Sequence, residues 1–376
     1  MKKSKKKPIN YQIPFSKPYI DKNDKVGLLS ILNAGRLGRG PTLENFEKNF
    51  AKYIGTKYAT AVNSGSSGLH LCTRLLNLPA GSEVITTPFS YVSPTYCILY
   101  ERLKPVFVDI DKDTLNINPN LIKKAISPKT KAILLVHILG YPCDIKSIFK
   151  IAKEYKLKII EDGCEAIGTE CHHKKIGSFG NPTAFSFYNN KQITTGEGGM
   201  VCLDNLNDKK FLDTLRNQGR SGRYLIHEYL GYNYGLNELS AGLGITQLKK
   251  INLVLEKRKK IADKYNKELK KLTCLTLPYE TDGIKRSWFS YFVILNKKLN
   301  RDWIIKQLEM KGISTRIFFP PLHLQPYIKK SFNFKEGMFP ITEEISKHIL
   351  SLPLFAEMKE SEVEYVCNIL KSLVKK

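Results

Sequence analysis

The chain has 376 residues, with 60 Lys and Arg against 35 Asp and Glu, a formal net charge of +25, 42% hydrophobic residues and 25% charged ones. That length supports a large core, divided into two domains or built as one large domain with an appendage, and the apolar share excludes a disordered chain. The lysines are scattered, and no zinc-ligand array, aromatic nucleic-acid motif or basic zipper accompanies them. The charge therefore reads as a lysine-rich background that also favours anionic ligands, with nucleic-acid binding as the alternative.

Residues 1–12, with Lys2, Lys3, Lys5, Lys6 and Lys7, read as a basic solvated tail. The stretch PINYQIPFSKPYIDKND that follows the lysines is too polar for the apolar region of a signal peptide. No apolar run reaches the ~20 residues of a membrane span. Eight cysteines without a CxxC pair read as buried free thiols of a reducing compartment. A cytoplasmic protein is expected.

From residue 13 to about 255 the pattern alternates strand and helix, as βαβ architecture requires. YATAV (58–62) is a strand leading to a helix near Gly65, EVITT (83–87) precedes a second helical stretch, and PVFVDID (105–111) is a strand ending in acids. KAILLVHILG (131–140) and KLKIIEDG (156–163) are buried strands on either side of a helix over 144–155. Their unbroken apolar runs predict a mostly parallel sheet covered on both faces, with ligands at the carboxyl ends of the strands. An amphipathic helix over 238–270 bridges to a smaller α+β unit, residues 256–376. In that unit WFSYFVIL is a strand, RDWIIKQLEMKG a helix closed by Gly312, STRIFF a second strand, and a final helix begins at Glu360.

The most informative stretch is FSFYNNKQITTGEGGMV (185–201). It sets Lys191 after a short strand, hemmed by Asn189, Asn190 and glycines, where a solvated surface charge is a poor explanation. Lysine loses its proton readily on desolvation and then attacks carbonyl compounds. NSGSSGLHL (63–71) places hydroxyls and backbone N–H groups at a helix N-terminus, a seat for phosphate, although such turns also cap helices with no ligand. Ser186 adds a hydroxyl. Tyr91, beyond a strand in PFSYVSP (88–94), is placed to stack on a ring or to fill the core. Asp162 ends the strand before it, where a carboxylate either pairs with a pyridine nitrogen or caps a helix. Together these residues point to a pyridoxal phosphate (PLP) site. Arg316 and His323 are candidates to face the substrate, and the histidine, after two prolines, also suits a turn.

In order and spacing, IPFSKPYI (13–20), GRLGRGPTLENFE (35–47), NSGSSGLHL, TPFSYVSP, PVFVDID, IIEDGCEAIGT, the lysine stretch, LGYNYGLNELSAGLG and GISTRIFFPPLHLQPY resemble a DegT/DnrJ/StrS-type nucleotide-sugar aminotransferase over almost the whole chain. The resemblance implies a fold-type I PLP-dependent α/β transferase: a large domain with a mostly parallel mixed sheet flanked by helices, plus a small C-terminal α+β domain. It implies that Lys191 carries the cofactor as a Schiff base and shuttles a proton. Asp162 would pair with the ring nitrogen, Tyr91 would lie over the ring, and Ser66, Ser67 and Ser186 would hold the phosphate. Glu165 would sit near the phenolic oxygen or the substrate, and Asn233 would reach the phosphate of a neighbouring subunit across a homodimer interface.

Two positions depart from many relatives. Glu165 replaces His or Gln and looks closer to a branch resembling GDP-perosamine synthases, and Gly235 replaces a basic residue. Because Lys191 is kept, transamination is expected over dehydration, with glutamate as donor and a nucleotide-linked 4-keto-6-deoxyhexose as acceptor, for surface polysaccharide or glycan assembly. A 3-keto sugar or cyclitol is the alternative acceptor. A PLP-bound regulator or nucleic-acid-binding protein is the rival from another class.

Overall fold

Runs such as AILLV at 132–136 carry apolar side chains at consecutive positions, and since these alternate in direction, both faces of the strand need cover. The computed structural model describes residues 12–222 and 225–374, so the basic tail, apart from its last residue, lies outside the described residues. Seven strands form the main sheet: β1 (Tyr58–Val62), β2 (Glu83–Thr86), β3 (Lys104–Phe107), β4 (Thr130–Val136), β5 (Lys158–Asp162), β6 (Thr183–Ser186) and β7 (Gly199–Leu203). Their order is β1-β7-β6-β5-β4-β2-β3. Within it β7 runs antiparallel to both β1 and β6, and the remaining pairs are parallel.

Strand β4 shows how the two faces are filled. Ala132, Leu134 and Val136 join one core, with Leu69 and Cys72 of helix Gly65–Leu75. Ile133 and Leu135 join another, with Ile148 and Ile151 of helix Ile145–Glu154. The eight cysteines are free thiols, six of them buried and Cys171 and Cys274 half-buried.

The amphipathic stretch at 238–270 is two helices, Glu238–Lys249 and Ile251–Leu269, not one. The break falls at Lys250, whose backbone leaves the helical region (φ −112°, ψ 11°) while its ammonium joins Asp21, at 2.9 Å, and the buried Asp24. A buried carboxylate holds its charge only with such a partner, and a periodicity count cannot see a partner 226 residues away. The second helix bridges as expected: Ile251 and Leu255 pack in the core around β1 and β7, and Ile261, Tyr265 and Leu269 in the C-terminal core.

The C-terminal sheet is antiparallel, with β8 (Leu275–Thr276), β9 (Tyr291–Leu295) and β10 (Ile349–Leu352) in that order. Helices Arg301–Met310 and Glu360–Val374 pack with it. STRIFF forms no strand; it touches the sheet through one bridge, Arg316 to Ser351. The strand in its place is β10, four residues long and too short to carry a period. Ile13 also belongs to this C-terminal packing, bridging Ile313 and lying in the same core.

Asp109, just beyond β3, ties that strand to a helix far along the chain. Asp109 is buried, and its carboxylate accepts the N–H groups of Ile341 and Thr342 at 2.9 Å and the Thr342 hydroxyl at 2.7 Å. It thus caps helix Pro340–His348 from outside. Asp109→Ala is expected to lower stability by about 1–2 kcal/mol, the usual cost of losing a cap, read as a lower urea midpoint at unchanged slope.

Candidate active site

The carboxyl ends of β1, β4, β5 and β6 face one cavity of about 470 Å³, a size suited to a small organic ligand. Helix Gly65–Leu75 starts at its wall. Ser64 caps the helix by accepting the Ser67 N–H at 3.0 Å, while the N–H groups of Gly65 and Ser66, in the first turn, have no intrahelical carbonyl to reach. A Cβ on Gly65 would stand 2.7 Å from Ser186 Cβ and 3.0 Å from Cys164 Sγ. Glycine is what lets the helix end come so close to β6. The Ser66 hydroxyl faces the cavity and lies 2.6 Å from that of Ser93.

Lys191 sits on the connection between β6 and β7. Its N–H returns to Tyr188 O at 2.9 Å, and the loop closes where the Thr194 hydroxyl and the Thr195 N–H meet Phe187 O, both at 3.0 Å. Gly196 turns the chain at φ +81°, a conformation that suits glycine. The Lys191 side chain is 11% exposed, with Nζ 4.0 Å from Glu165 Oε1 and 4.2 Å from the centre of the Phe289 ring.

Two acids share this floor. Asp162 is buried, with Oδ1 accepting the Cys164 N–H at 2.9 Å; burial holds its carboxyl above the ordinary range, against the pull of Cys164, Lys191 and His137. Behind it, His137 Nδ1 accepts the Cys143 N–H at 3.1 Å. The ring proton is therefore on Nε2, which donates to Glu161 at 3.0 Å. The His137 N–H holds the Asp162 carbonyl at 3.1 Å. Glu165 Oε2 accepts the Leu139 N–H at 2.8 Å. Burial pushes the Glu165 carboxyl up to about 7, with Lys191 and the Leu139 N–H pulling it down.

Of the residues singled out from sequence, Ser66, Tyr91, Asp162, Glu165, Ser186 and Lys191 line the cavity. Ser67 does not: its hydroxyl is spent on Asn63 at 2.6 Å. Asn233 is exposed on a neighbouring strip, its carbonyl held by Asn63 at 3.2 Å. The Arg316 guanidinium folds back on the Thr315 carbonyl at 2.8 Å and on the Phe15 ring. His323 is fully buried beside Phe339, with Nε2 bonded to Glu343 at 2.9 Å. It secures the loop before helix Pro340–His348, and burial lowers its affinity for a proton.

Sequence reasoning missed Tyr188, Glu197, Phe289, Phe318 and Phe319. Glu197 and Tyr188 stood in the quoted lysine stretch and could have been read there. The three phenylalanines come from the C-terminal unit and have no local signal.

The sequence profile of the DegT/DnrJ/EryC1/StrS aminotransferase family matches residues 18–371. The Bacillus subtilis spore coat polysaccharide biosynthesis protein SpsC is 35% identical, over 97% of this chain and 98% of its own. The GDP-perosamine synthase of Vibrio cholerae is 34% identical, over 96% of this chain and 97% of its own. The structure of Helicobacter pylori PseC, an aminotransferase involved in the biosynthesis of pseudoaminic acid, superposes with a TM-score of 0.93 at 28% identity, over 96% of this chain and 99% of that one.

The elevated Glu165 carboxyl has a measurable consequence. Between the ordinary value of 4.5 and about 7 the folded protein holds a proton that the unfolded chain has released. This acid therefore lowers stability as pH rises through that window, by up to about 3 kcal/mol. In Glu165→Gln that part of the decline is expected to vanish, leaving the variant more stable than the parent at pH 8. Urea unfolding of protein stripped of bound small molecules, from pH 4 to pH 8, checks it.

Proposed function

The chain belongs to the DegT/DnrJ/EryC1/StrS aminotransferase family, and from that membership we propose that it moves the amino group of L-glutamate to a nucleotide-linked 4-keto-6-deoxyhexose, with pyridoxal 5'-phosphate in the cavity. It has the fold of the sugar aminotransferases, whose family is PLP-dependent. The observation that carries the reading is a lysine amine desolvated in a cavity that also holds a buried acid free to accept a further hydrogen bond.

The residues present fit that cofactor. Asp162 Oδ2 has no hydrogen-bond partner among the described residues, and a buried carboxylate of raised proton affinity gains from a cationic N–H donor such as a protonated ring nitrogen. The first-turn N–H groups of Gly65 and Ser66, with the Ser66 and Ser186 hydroxyls, suit a phosphate. Tyr91 would cover the ring. Asn190 Oδ1, buried with no partner, awaits a donor. When bound, the cofactor supplies a carbonyl carbon for the amine and a ring that withdraws electrons.

In this reading Lys191 holds the cofactor and, once displaced by the donor, takes and returns the proton of the 1,3-shift. Glu165 stands by its amine and would contact the phenolic oxygen or the substrate. Arg316, beside the Phe318 that lines the cavity, is kept as a contact at the entrance; His323 is not. Exposed Leu225, Ile226, Tyr229 and Leu230, beside Asn233, support a second copy of the chain against this strip, with Asn233 reaching the partner's phosphate. The likeness to GDP-perosamine synthase and SpsC supports a nucleotide-linked acceptor and a role in polysaccharide assembly, placed in the cytoplasm. Among the described residues no helix is long and apolar enough to cross a membrane.

The test is an absorbance spectrum. A band at about 400–430 nm that gives way to one near 330 nm on adding L-glutamate is expected, with the first band returning on adding the right keto-sugar nucleotide. A panel including 3-keto sugars and cyclitol ketones separates the acceptors. Protein that stays colourless after incubation with PLP sinks the reading. Lys191→Ala is expected to lose the first band and to lower turnover by about 10³-fold or more.

A further inference from the structure

Gln192, next to the reactive lysine, points the other way. It is 3% exposed, and its Nε2 donates to the Glu165 carbonyl at 2.7 Å and to the Ser287 hydroxyl at 2.8 Å. The assignment is unambiguous, because a backbone carbonyl only accepts. Its Oε1 is buried with no partner. Ser287 Oγ lies 2.9 Å from Thr169 Oγ1 and 3.3 Å from the Glu165 carbonyl, and Thr169 donates to the Gly140 carbonyl at 2.8 Å. Two residues after Ser287 comes Phe289, whose ring underlies the Lys191 amine. One amide thus joins three segments that the chain keeps far apart: the lysine loop, the turn after β5 and the entry to the C-terminal sheet.

We propose that Gln192, with Ser287, is a positioning residue for the amine: it fixes the backbone of Glu165, and so the aim of that carboxylate at Lys191, and anchors Phe289 beneath the same Nζ. An apolar side chain here would bury no polar atom, yet the position holds an amide whose oxygen is left unsatisfied. Burying such a group is costly unless its donors are needed. Other groups facing Lys191 are Asp162 and Cys164 at the end of β5, Tyr188 and Glu197 on its own loop, and Tyr91. None of them bonds Gln192.

The inference rests on Lys191 being the reactive amine of the proposed transamination, so its test avoids the cofactor. Protein freed of PLP is acetylated with limiting acetic anhydride across a pH series, and the Lys191 peptide is followed by mass spectrometry. A nearby carboxylate favours the ammonium form. Gln192→Leu is therefore expected to lower the Lys191 midpoint by about half a pH unit or more, Ser287→Ala to lower it in the same direction by less, and Gln192→Leu to add no shift when Glu165 is already Gln. A midpoint unchanged in Gln192→Leu, or the same shift with and without the Glu165 carboxylate, overturns the role. If Gln192→Leu loses cooperative unfolding, Ser287→Ala decides alone, and an unmoved midpoint there overturns it. Failure here leaves the visible band intact, whereas a missing band is what defeats the proposed function.

Discussion

Asp162 and Glu165 are carboxyl groups withdrawn from water at the end of β5, and each can carry charge only through the cations and donors brought to it. Everything around the cavity follows from that requirement. The Cys164 N–H holds one oxygen of Asp162 and the Leu139 N–H one oxygen of Glu165, so that the other oxygens are left for the cavity. Lys191 comes in from the far side on a loop whose shape is set by Phe187, Thr194 and Gly196. Apolar cover from Phe289 keeps water from screening the charges, which is what makes a separation of 4.0 Å matter.

How much could be read from the chain depends on how far apart the causes lie. Strand β1 was placed over the same five residues and β5 to within its ends, because apolar runs bounded by turns are local signals, whereas β4 was read on to residue 140 and stops at Val136, the apolar residues 138–140 forming a 3-10 turn. The place of Asp162 and Lys191 on the cavity was legible for a related reason: each is a charged residue set against the end of such a run. The lysine stretch also carried Glu197 and Tyr188, which line the cavity and were not singled out.

The failures share a cause. His323 stood within FFPPLHLQPY as a candidate to face the substrate, yet its partner is Glu343, and its ring packs on Phe334 and Phe339. Ser67 sits in the right motif, but the cap geometry turns its hydroxyl to Asn63. The helix break at Lys250 answers to two aspartates near the N-terminus. Gly235, a departure visible in sequence, has the side chain of exposed Arg39 as its near neighbour, 3.2 Å from where a Cβ would stand. Tertiary partners of this kind leave no trace in local pattern.

The strand order also carries a consequence for synthesis. β1 is made first, but its one neighbour in the sheet is β7, so residues 58–62 have no backbone partner in that sheet until the ribosome has passed residue 203. Ile13 waits longer still, for Ile313. The nascent chain therefore carries an unpaired strand, the kind that pairs with other chains when left open. The antiparallel strand that follows the lysine loop is also the one that ends this wait, so the first strand and the lysine are fixed by one pairing event, while Phe289, Phe318 and Phe319 of the cavity wall have still to be made.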